Sequence, residues 1–230
     1  MRQIILDTET TGLDPHQGHR LIEIGCVEMI NRRITRKTFH YYLNPQRLVD
    51  EGAFAVHGLS DAFLADKPLF SDIVEEFLAF IQDAELIIHN ATFDLGFLNY
   101  ELSLLKQKTS IVSLDAYCRV FDTLMLARRK HPGQRNSLDA LCKRYQIDNT
   151  HRTLHGALLD AEILADVYLA MTGGQASFIL HQQTTEEDRV LNVTQPLLQN
   201  RSPLLILAAN AEEIAMHQQR LQTISSVAVW

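Results

Sequence analysis

The chain has 230 residues, enough for one sizeable domain with an additional segment. Its composition, 46% hydrophobic and 21% charged, is ordinary for a globular protein. A formal net charge of −7 argues against a protein that coats nucleic acid by bulk electrostatics. It does not exclude a nucleic-acid enzyme, because carboxylates that bind divalent cations reverse the local field.

Three cysteines, Cys26, Cys118 and Cys142, are widely spaced. An odd number at these spacings fits neither a disulfide framework nor a CxxC zinc site, and it favours a reducing compartment. The N-terminal sequence lacks the apolar stretch of a signal peptide, and no run approaches the roughly 18 apolar residues of a membrane span. We therefore expect a cytoplasmic protein that does not associate with membranes.

The first half of the chain predicts strands before helices. Residues 3–6 predict a buried strand, which ends in a turn around Thr11 and Gly12. From Arg20, two β-rich apolar runs separated by residues 31–33 predict an antiparallel hairpin. Three strands would therefore precede the first helix.

Helices and strands then alternate. Helical spacing of apolar residues predicts a helix over 72–83 with Ser71 as its cap, and "ELIIH" at 85–89 predicts another buried strand. Further helices are predicted at 93–106, at 122–130, at 137–145 with Asn136 or Ser137 as its cap, and at 156–172. A strand meander followed by this alternation predicts an α/β domain with a mixed sheet covered by helices.

The sequence changes character near residue 174, so we predict a domain over 1–174. Residues 175–202 are rich in Gln, Thr, Asn and Pro, as in a flexible linker. Residues 203–230 hold a short apolar run and a predicted helix from Asn210. That segment is too small to bury its own apolar surface, which predicts a binding partner for it.

Two acids close the first strand, in "IILDTETTG". Asp7 and Glu9 are two residues apart, so their side chains share one face of the strand. Neighbouring carboxylates repel each other unless they are protonated or bridged by a cation. Two solvated acids at a strand end are an equally good interpretation of this segment alone.

Two later segments add further acids. In "IIHNATFDLGFL", Asp94 falls in the first turn of a helix, a position that the helix dipole also favours for an ordinary acid. In "RTLHGALLDAEILADV", Asp160 interrupts an apolar helix face, which is costly unless the acid is paired or binds a metal. His155 lies about one helical turn before Asp160. Taken alone, it could be an ordinary histidine at a helix end.

These segments resemble, in order, the three motifs of the DEDDh superfamily of 3′–5′ exonucleases: Asp-x-Glu, Asn-x-x-Phe-Asp and His-x4-Asp. The similarity runs through residues 1–174 and is greatest to the proofreading branch associated with bacterial DNA polymerase III. The stretches that carry it are "LDTETTG", "AFAVHGLSD", "HNATFDLGF", "RNSLDALCKRY" and "RTLHGALLDA". The resemblance implies a ribonuclease H-like fold.

The resemblance also implies roles for individual residues. Four acids would be metal ligands and His155 the general base; the acids are Asp7, Glu9, Asp94 and Asp160. The sister DEDDy group has a tyrosine four residues before the last acid, but position 156 is Gly, so the histidine version matches better.

Phosphodiester hydrolysis explains why such residue types belong together. Two divalent ions can activate water and relieve charge on the phosphate and the leaving 3′ oxygen. Mg²⁺ or Mn²⁺ prefers carboxylates and waters to thiols. A histidine, with an unperturbed pKa of about 6.5, can accept a proton at neutral pH. The resemblance therefore implies two such ions as cofactors.

Substrate contacts are implied at Thr10, Val56 and His57, which would meet the 3′-terminal nucleotide, although His57 alone is more typical of a structural histidine. Family members usually carry a glutamate two residues before the Phe of "AFAVHG". Here position 52 is Gly and position 51 is Glu, so Glu51 is the candidate for that contact, one place away.

The tail suggests partners. Gln175–Leu180 resembles a sliding-clamp-binding peptide, a short pattern that also arises by chance. Residues 203–230 match the region that tethers such exonucleases to the alpha subunit of DNA polymerase III, while a small theta-like accessory subunit is left open. A linker would keep the domain within reach of a primer 3′ end by raising its effective concentration.

Three functions would each explain part of this sequence. The first is proofreading of DNA 3′ ends within a replicase. The second is a DEDDh ribonuclease that trims RNA 3′ ends, which would leave the clamp-like peptide and the tail unexplained. The third is a non-catalytic binding module, which the complete set of acids and His155 disfavours. The sequence therefore favours a proofreading exonuclease.

Overall fold

The computed structural model describes residues 1–105, 111, 113–150, 152, 154–173 and 210–224. Its contacts divide the chain into two units, Met1–Ser177 and Phe178–Trp230. The predicted linker at 175–202, with its clamp-like peptide Gln175–Leu180, lies outside the described residues. The predicted tail at 203–230 is described only over 210–224, and these segment boundaries stay predictions.

The first unit is built on one five-stranded mixed sheet. Its strands are β1 (Arg2–Thr10), β2 (Leu21–Ile30), β3 (Arg33–Tyr42), β4 (Glu85–Ile88) and β5 (Arg119–Asp122). Their order is β3-β2-β1-β4-β5, with β1, β2 and β3 antiparallel and both β4 and β5 parallel to β1. This arrangement confirms the predicted mixed sheet and puts β1 at its centre.

The predicted hairpin is also confirmed. Asn31 and Arg32 connect β2 to β3 with φ values of 49° and 65°. Two consecutive residues with positive φ make the tight turn whose twist suits a right-handed hairpin. The four-residue strand β5 was not predicted, because "RVFD" is too short to establish a period and Asp122 was assigned to the helix that follows.

Helices surround the sheet. In the first unit they are α1 (Glu51–His57), α2 (Asp61–Leu64), α3 (Phe70–Ile81), α4 (Ala91–Leu104), α5 (Leu114–Tyr117), α6 (Thr123–Lys130), α7 (Leu138–Tyr145) and α8 (Ala157–Gly173). The second unit contains α9 (Ala211–Ile224). Within the described residues, no helix is long and apolar enough to cross a membrane.

Helix starts follow the local sequence, with one correction. The Ser137 hydroxyl accepts a hydrogen bond from the Ala140 N–H and caps α7, as predicted. The prediction that Ser71 caps the third helix is wrong. That helix begins at Phe70, and Asp72 accepts a hydrogen bond from the Leu69 N–H at 3.0 Å. An acid three residues into the helix can satisfy a free N–H as well as a serine can.

The central strand is apolar on both faces because both are covered. Ile4 and Leu6 belong to the cluster that α3 and α4 complete, whereas Ile5 belongs to the cluster that α8 covers. Continuing this alternation, Asp7 and Glu9 share the α8 face, and Thr8 points to the α4 face. The packing thus determines which helix each polar side chain at the end of β1 meets.

Helix α8 lies unusually close to the sheet, at Gly25 of β2. A Cβ built at Gly25 would lie 2.2 Å from the backbone nitrogen of Leu158, which no real contact tolerates. Gly25 pairs with Asp7 in the β1–β2 register. The absence of a side chain there lets the first turn of α8 approach the end of β1.

Candidate active site

The two residues of the last predicted motif, His155 and Asp160, lie at the start of α8. Asp160 is in its first turn and only 3% exposed. His155 precedes the helix, and its backbone N–H donates to the Val56 carbonyl at 3.1 Å. Glu9, His155 and Asp160 each offer one ligand atom, and these atoms all lie within 4.8 Å of one another. The strand end and the helix start therefore meet around one point.

Asp94 enters from the opposite face of the sheet. It is in the first turn of α4, is 3% exposed and accepts a hydrogen bond from the Thr8 hydroxyl at 2.7 Å. Asn90 precedes that helix with a φ of 68°, and the Ala91 N–H donates to Asp122. Asp122 itself caps α6 by accepting from the Leu124 N–H at 2.7 Å.

The electrostatics are those of carboxylates crowded together away from water. Burial, followed by the charges of Asp94 and Glu9, raises the pKa of Asp7 well above its ordinary value. Burial and the charges of Asp160 and Glu23 raise the pKa of Glu9 to about 8. Bound cations would offset the repulsion among these acids.

The pKa values of Asp94 and Asp160 are shifted in opposite directions. Burial raises the pKa of Asp94 to about 7, although the Thr8 hydrogen bond opposes the increase. Burial also raises the pKa of Asp160, but contacts with His155 and Arg152 outweigh it and leave the pKa below its ordinary value. Asp160 is thus already paired with a cation of the chain, whereas Asp94 is not.

Arg152 is that cation. Its Nε and Nη2 atoms donate to the two carboxylate oxygens of Asp160, and its Nη1 donates to Asp139 at 2.7 Å. Its Nη2 also lies 2.7 Å from Nδ1 of His155. Sequence analysis does not identify Arg152, because its contacts depend on how the chain folds around Asp160.

The predicted site residues line two adjoining cavities. The first, the acidic cavity, has a volume of about 290 Å³ and is lined by all four acids and His155, together with Arg152 and Asp139. The second, the large cavity, has a volume of about 540 Å³, and its walls include Thr10, Val56 and His57. Glu9 and Phe93 line both cavities, so a molecule in the large cavity would border the acids.

His57 and Thr10, which both line the large cavity, are held by different hydrogen bonds. His57 is 4% exposed; its Nδ1 accepts from the Leu59 N–H at 3.0 Å, while Nε2 is buried without a well-formed hydrogen bond to the described residues. Burial lowers the pKa of His57, which favours a neutral imidazole. The Thr10 hydroxyl donates to the Gly12 carbonyl at 2.6 Å, and this bond holds the turn after β1.

Glu51 does not line the large cavity, whereas Gly52 does. Glu51 is exposed in the first turn of α1. A Cβ built at Gly52 would meet nothing within 4 Å, so this part of the wall is open. The structure therefore brings together the other predicted site residues and leaves Glu51 outside them.

The donor set fits hard divalent cations. Carboxylate oxygens converge around Asp7 and Glu9, whose pKa values stay raised although the charge of Arg152 opposes the increase, and oxygen-rich sites of this kind suit Mg²⁺ or Mn²⁺. A mixed sheet with this strand order, carrying carboxylates at the end of its central strand, defines the class: a nuclease of ribonuclease H-like fold.

Known proteins agree with this class. The exonuclease (RNase T) family model matches residues 4–168. DNA polymerase III subunit epsilon of Salmonella typhimurium (strain LT2) is 54% identical over 229 residues, covering 97% of this chain and 93% of that protein. Exonuclease X, solved in complex with 5′-overhanging duplex DNA, is 28% identical with a TM-score of 0.56, over 76% of this chain and 95% of that one.

The fold is shared more widely. The nuclease domain of 3′hExo, a DEDDh family member bound to rAMP, is 17% identical with a TM-score of 0.62, over 74% of this chain and 90% of that one. The chain belongs to the exonuclease (RNase T) family, which confirms the resemblance inferred from its motifs. Divalent metal ions are typical of this family.

Proposed function

We propose that this chain is the proofreading 3′–5′ exonuclease of a bacterial replicative DNA polymerase and removes mispaired nucleotides from DNA 3′ ends. The observation that carries the proposal is the pair of adjoining cavities. One gathers four acids and His155, and the other, of about 540 Å³, is large enough for a nucleotide and borders them at Glu9 and Phe93. The relatedness to a polymerase III subunit over nearly the whole chain supports DNA as the substrate.

Two divalent ions, Mg²⁺ or Mn²⁺, would be held by the carboxylates of Asp7, Glu9, Asp94 and Asp160. When bound, they would activate the attacking water and stabilise negative charge on the scissile phosphate and the leaving 3′ oxygen. The raised pKa values of Asp7, Glu9 and Asp94 support the proposal, because burial and the charges of neighbouring acids make these groups costly to ionise without a bound cation. Thr8 would hold Asp94 in place through its hydroxyl.

His155 would be the general base that takes the proton of the attacking water. Its side chain is 42% exposed, so one edge of the ring is accessible from the acidic cavity. The backbone bond from His155 to Val56 ties its position to the helix α1 that lines the large cavity. The base would thus be held in a fixed relation to the terminal nucleotide.

The terminal nucleotide would lie in the large cavity, in contact with Thr10, Val56 and His57. Val56 is 44% exposed and offers an apolar surface to the base or sugar, and the His57 ring, only 4% exposed, lines the same cavity. Glu51 stays a contact proposed from the family resemblance alone, because its side chain does not line the large cavity.

Partners follow from the rest of the chain. We propose that residues 203–230 bind the alpha subunit of DNA polymerase III and that Gln175–Leu180 binds the sliding clamp. Within the first of these segments, α9 exposes Ile214 and Met216, apolar side chains that a partner could cover. A theta-like subunit on the exonuclease domain and a cytoplasmic location would accompany this role.

The test compares hydrolysis of matched single-stranded DNA and RNA by the purified full chain with Mg²⁺. DNA should be degraded from its 3′ end, and Asp7→Ala should lose activity while Glu75→Gln, an exposed acid on α3, keeps it. A strong preference for RNA would replace the proposal with 3′-end trimming of RNA. Unchanged activity of Asp7→Ala would overturn the metal assignment.

A further inference from the structure

Arg152 makes three contacts inside the acidic cavity, and its side chain is only 7% exposed. It binds both carboxylate oxygens of Asp160 in the two-pronged geometry that arginine forms with carboxylates. A metal ion at Asp160 would need at least one of the same oxygens. Because a desolvated guanidinium and a divalent cation cannot share these oxygens freely, the two compete for Asp160.

Arg152 also determines the state of His155. A guanidinium can only donate hydrogen bonds, so the 2.7 Å contact requires Nδ1 of His155 to be the acceptor. Asp160 lies farther from that nitrogen, at 3.3 Å. A neutral imidazole whose Nδ1 accepts carries its proton on Nε2. In this arrangement neither ring nitrogen has a free lone pair with which to take a proton.

Asp139 gives Arg152 a partner other than Asp160. It is in the first turn of α7, its side chain is 53% exposed, and it accepts from Nη1 at 2.7 Å. Nη1 does not contact Asp160, so the guanidinium can keep this bond while Nε and Nη2 turn away. Asp139 would therefore hold Arg152 beside the cavity after it has left Asp160.

We propose that Arg152 is a positioning residue that keeps the site closed until divalent ions displace it from Asp160, while its bond to Asp139 stays in place. The displacement frees the Asp160 oxygens and Nδ1 of His155 in one movement. Metal binding and the readiness of the general base are then a single event. This inference rests on the proposed metal site and adds a competitor that belongs to the chain itself.

Mn²⁺ affinity of the full chain, measured by titration with detection of free Mn²⁺ by electron paramagnetic resonance, tests the competition. Arg152→Gln should bind Mn²⁺ about tenfold more tightly, since a competitor is removed, which corresponds to about 1.4 kcal/mol. Arg152→Lys keeps the charge without the two-pronged geometry and should fall between the two. Asp139→Asn leaves the competitor in place and removes a bond that Arg152 keeps in both positions, so it should change Mn²⁺ affinity far less than Arg152→Gln does.

A spectroscopic signature in the unaltered protein separates displacement from a general effect of charge. The Arg152 Nε–H resonance, assigned by its absence in Arg152→Gln, should shift as Mg²⁺ is added. The ¹⁵N resonances of His155 should shift at the same Mg²⁺ concentrations. If Arg152 keeps its bonds to Asp160, its Nε–H resonance stays where it is without Mg²⁺.

The outcomes are distinct. If the unaltered chain binds no Mn²⁺, the metal site fails, and the competition fails with it. If it binds Mn²⁺ but Arg152→Gln binds no more tightly, or the Arg152 resonance stays fixed at saturating Mg²⁺, the competition alone is overturned. Tighter binding by Arg152→Gln together with little change in Asp139→Asn supports it.

Discussion

Asp94→Asn should stabilise the protein in the absence of metal while removing a proposed metal ligand. The substitution removes the negative charge but keeps Oδ1, which accepts the 2.7 Å hydrogen bond from Thr8. The benefit arises because Asp94 is 3% exposed and costly to ionise in the folded chain. An amide has no such cost.

The magnitude follows from the pKa. Burial raises the pKa of Asp94 from 3.8 to about 7, and each unit corresponds to about 1.4 kcal/mol, so the upper bound is about 4 kcal/mol. Below about pH 4 the carboxyl is protonated in both states and costs nothing. Between about pH 4 and 7 only the unfolded chain ionises, so the free energy of unfolding falls as the pH rises. Above pH 7 the loss is complete.

Urea denaturation with a chelator measures the difference. Asp94→Asn and the unaltered chain should be equally stable at pH 4, and at pH 8 the variant should be more stable by about 2 to 4 kcal/mol. Saturating Mn²⁺ should reverse the order, because only the unaltered chain keeps all four ligands. Glu75→Gln, an exposed acid on α3, is the matched control and should change little. Equal stability of Asp94→Asn and the unaltered chain at pH 8 would refute the reasoning.

Three further predictions concern packing, the cavity wall and protons. Gly25→Ala should lose about 1 to 3 kcal/mol of stability and most activity, because its Cβ would overlap the start of α8; Gly96→Ala, with open space in α4, should lose neither. Gly52→Glu should lower KM for single-stranded DNA by adding a carboxylate to the open cavity wall, and an unchanged KM would contradict this. Mn²⁺ affinity should rise from pH 6 to 8, because Glu9, with a pKa of about 8, and Asp94, with a pKa of about 7, must lose protons to bind metal. Calorimetry in buffers of different ionisation enthalpy would count those protons, and an affinity independent of pH would exclude the raised pKa values.

The sequence predicted the elements whose pattern is local. The hairpin, the long helices and the Ser137 cap depend on residues close together in the chain, and the structure has them. Strand β5 depends on pairing with β4, which is distant in sequence, and its four residues carry no period of their own. Helix α1 around Val56 was not predicted either, because its seven residues are too few to show a clear helical period.

The acids show the same division. The spacing of Asp7 and Glu9 was readable because strand geometry alone sets it, and the remaining acids followed from a resemblance in motif order. Arg152 was missed because nothing near it in the sequence indicates burial. Its partner Asp160 lies eight residues away, and only the path of the chain into α8 brings the two together.

Gly25 gives the acidic cavity its width. Asp7 is carried by the sheet and Asp160 by a helix, so the gap between their carboxylates depends on how closely two layers of backbone stack. Because Gly25 has no side chain, α8 can pack this closely against the sheet. The spacing of the two carboxylates therefore depends on an uncharged residue in the adjacent strand and on the apolar packing under α8.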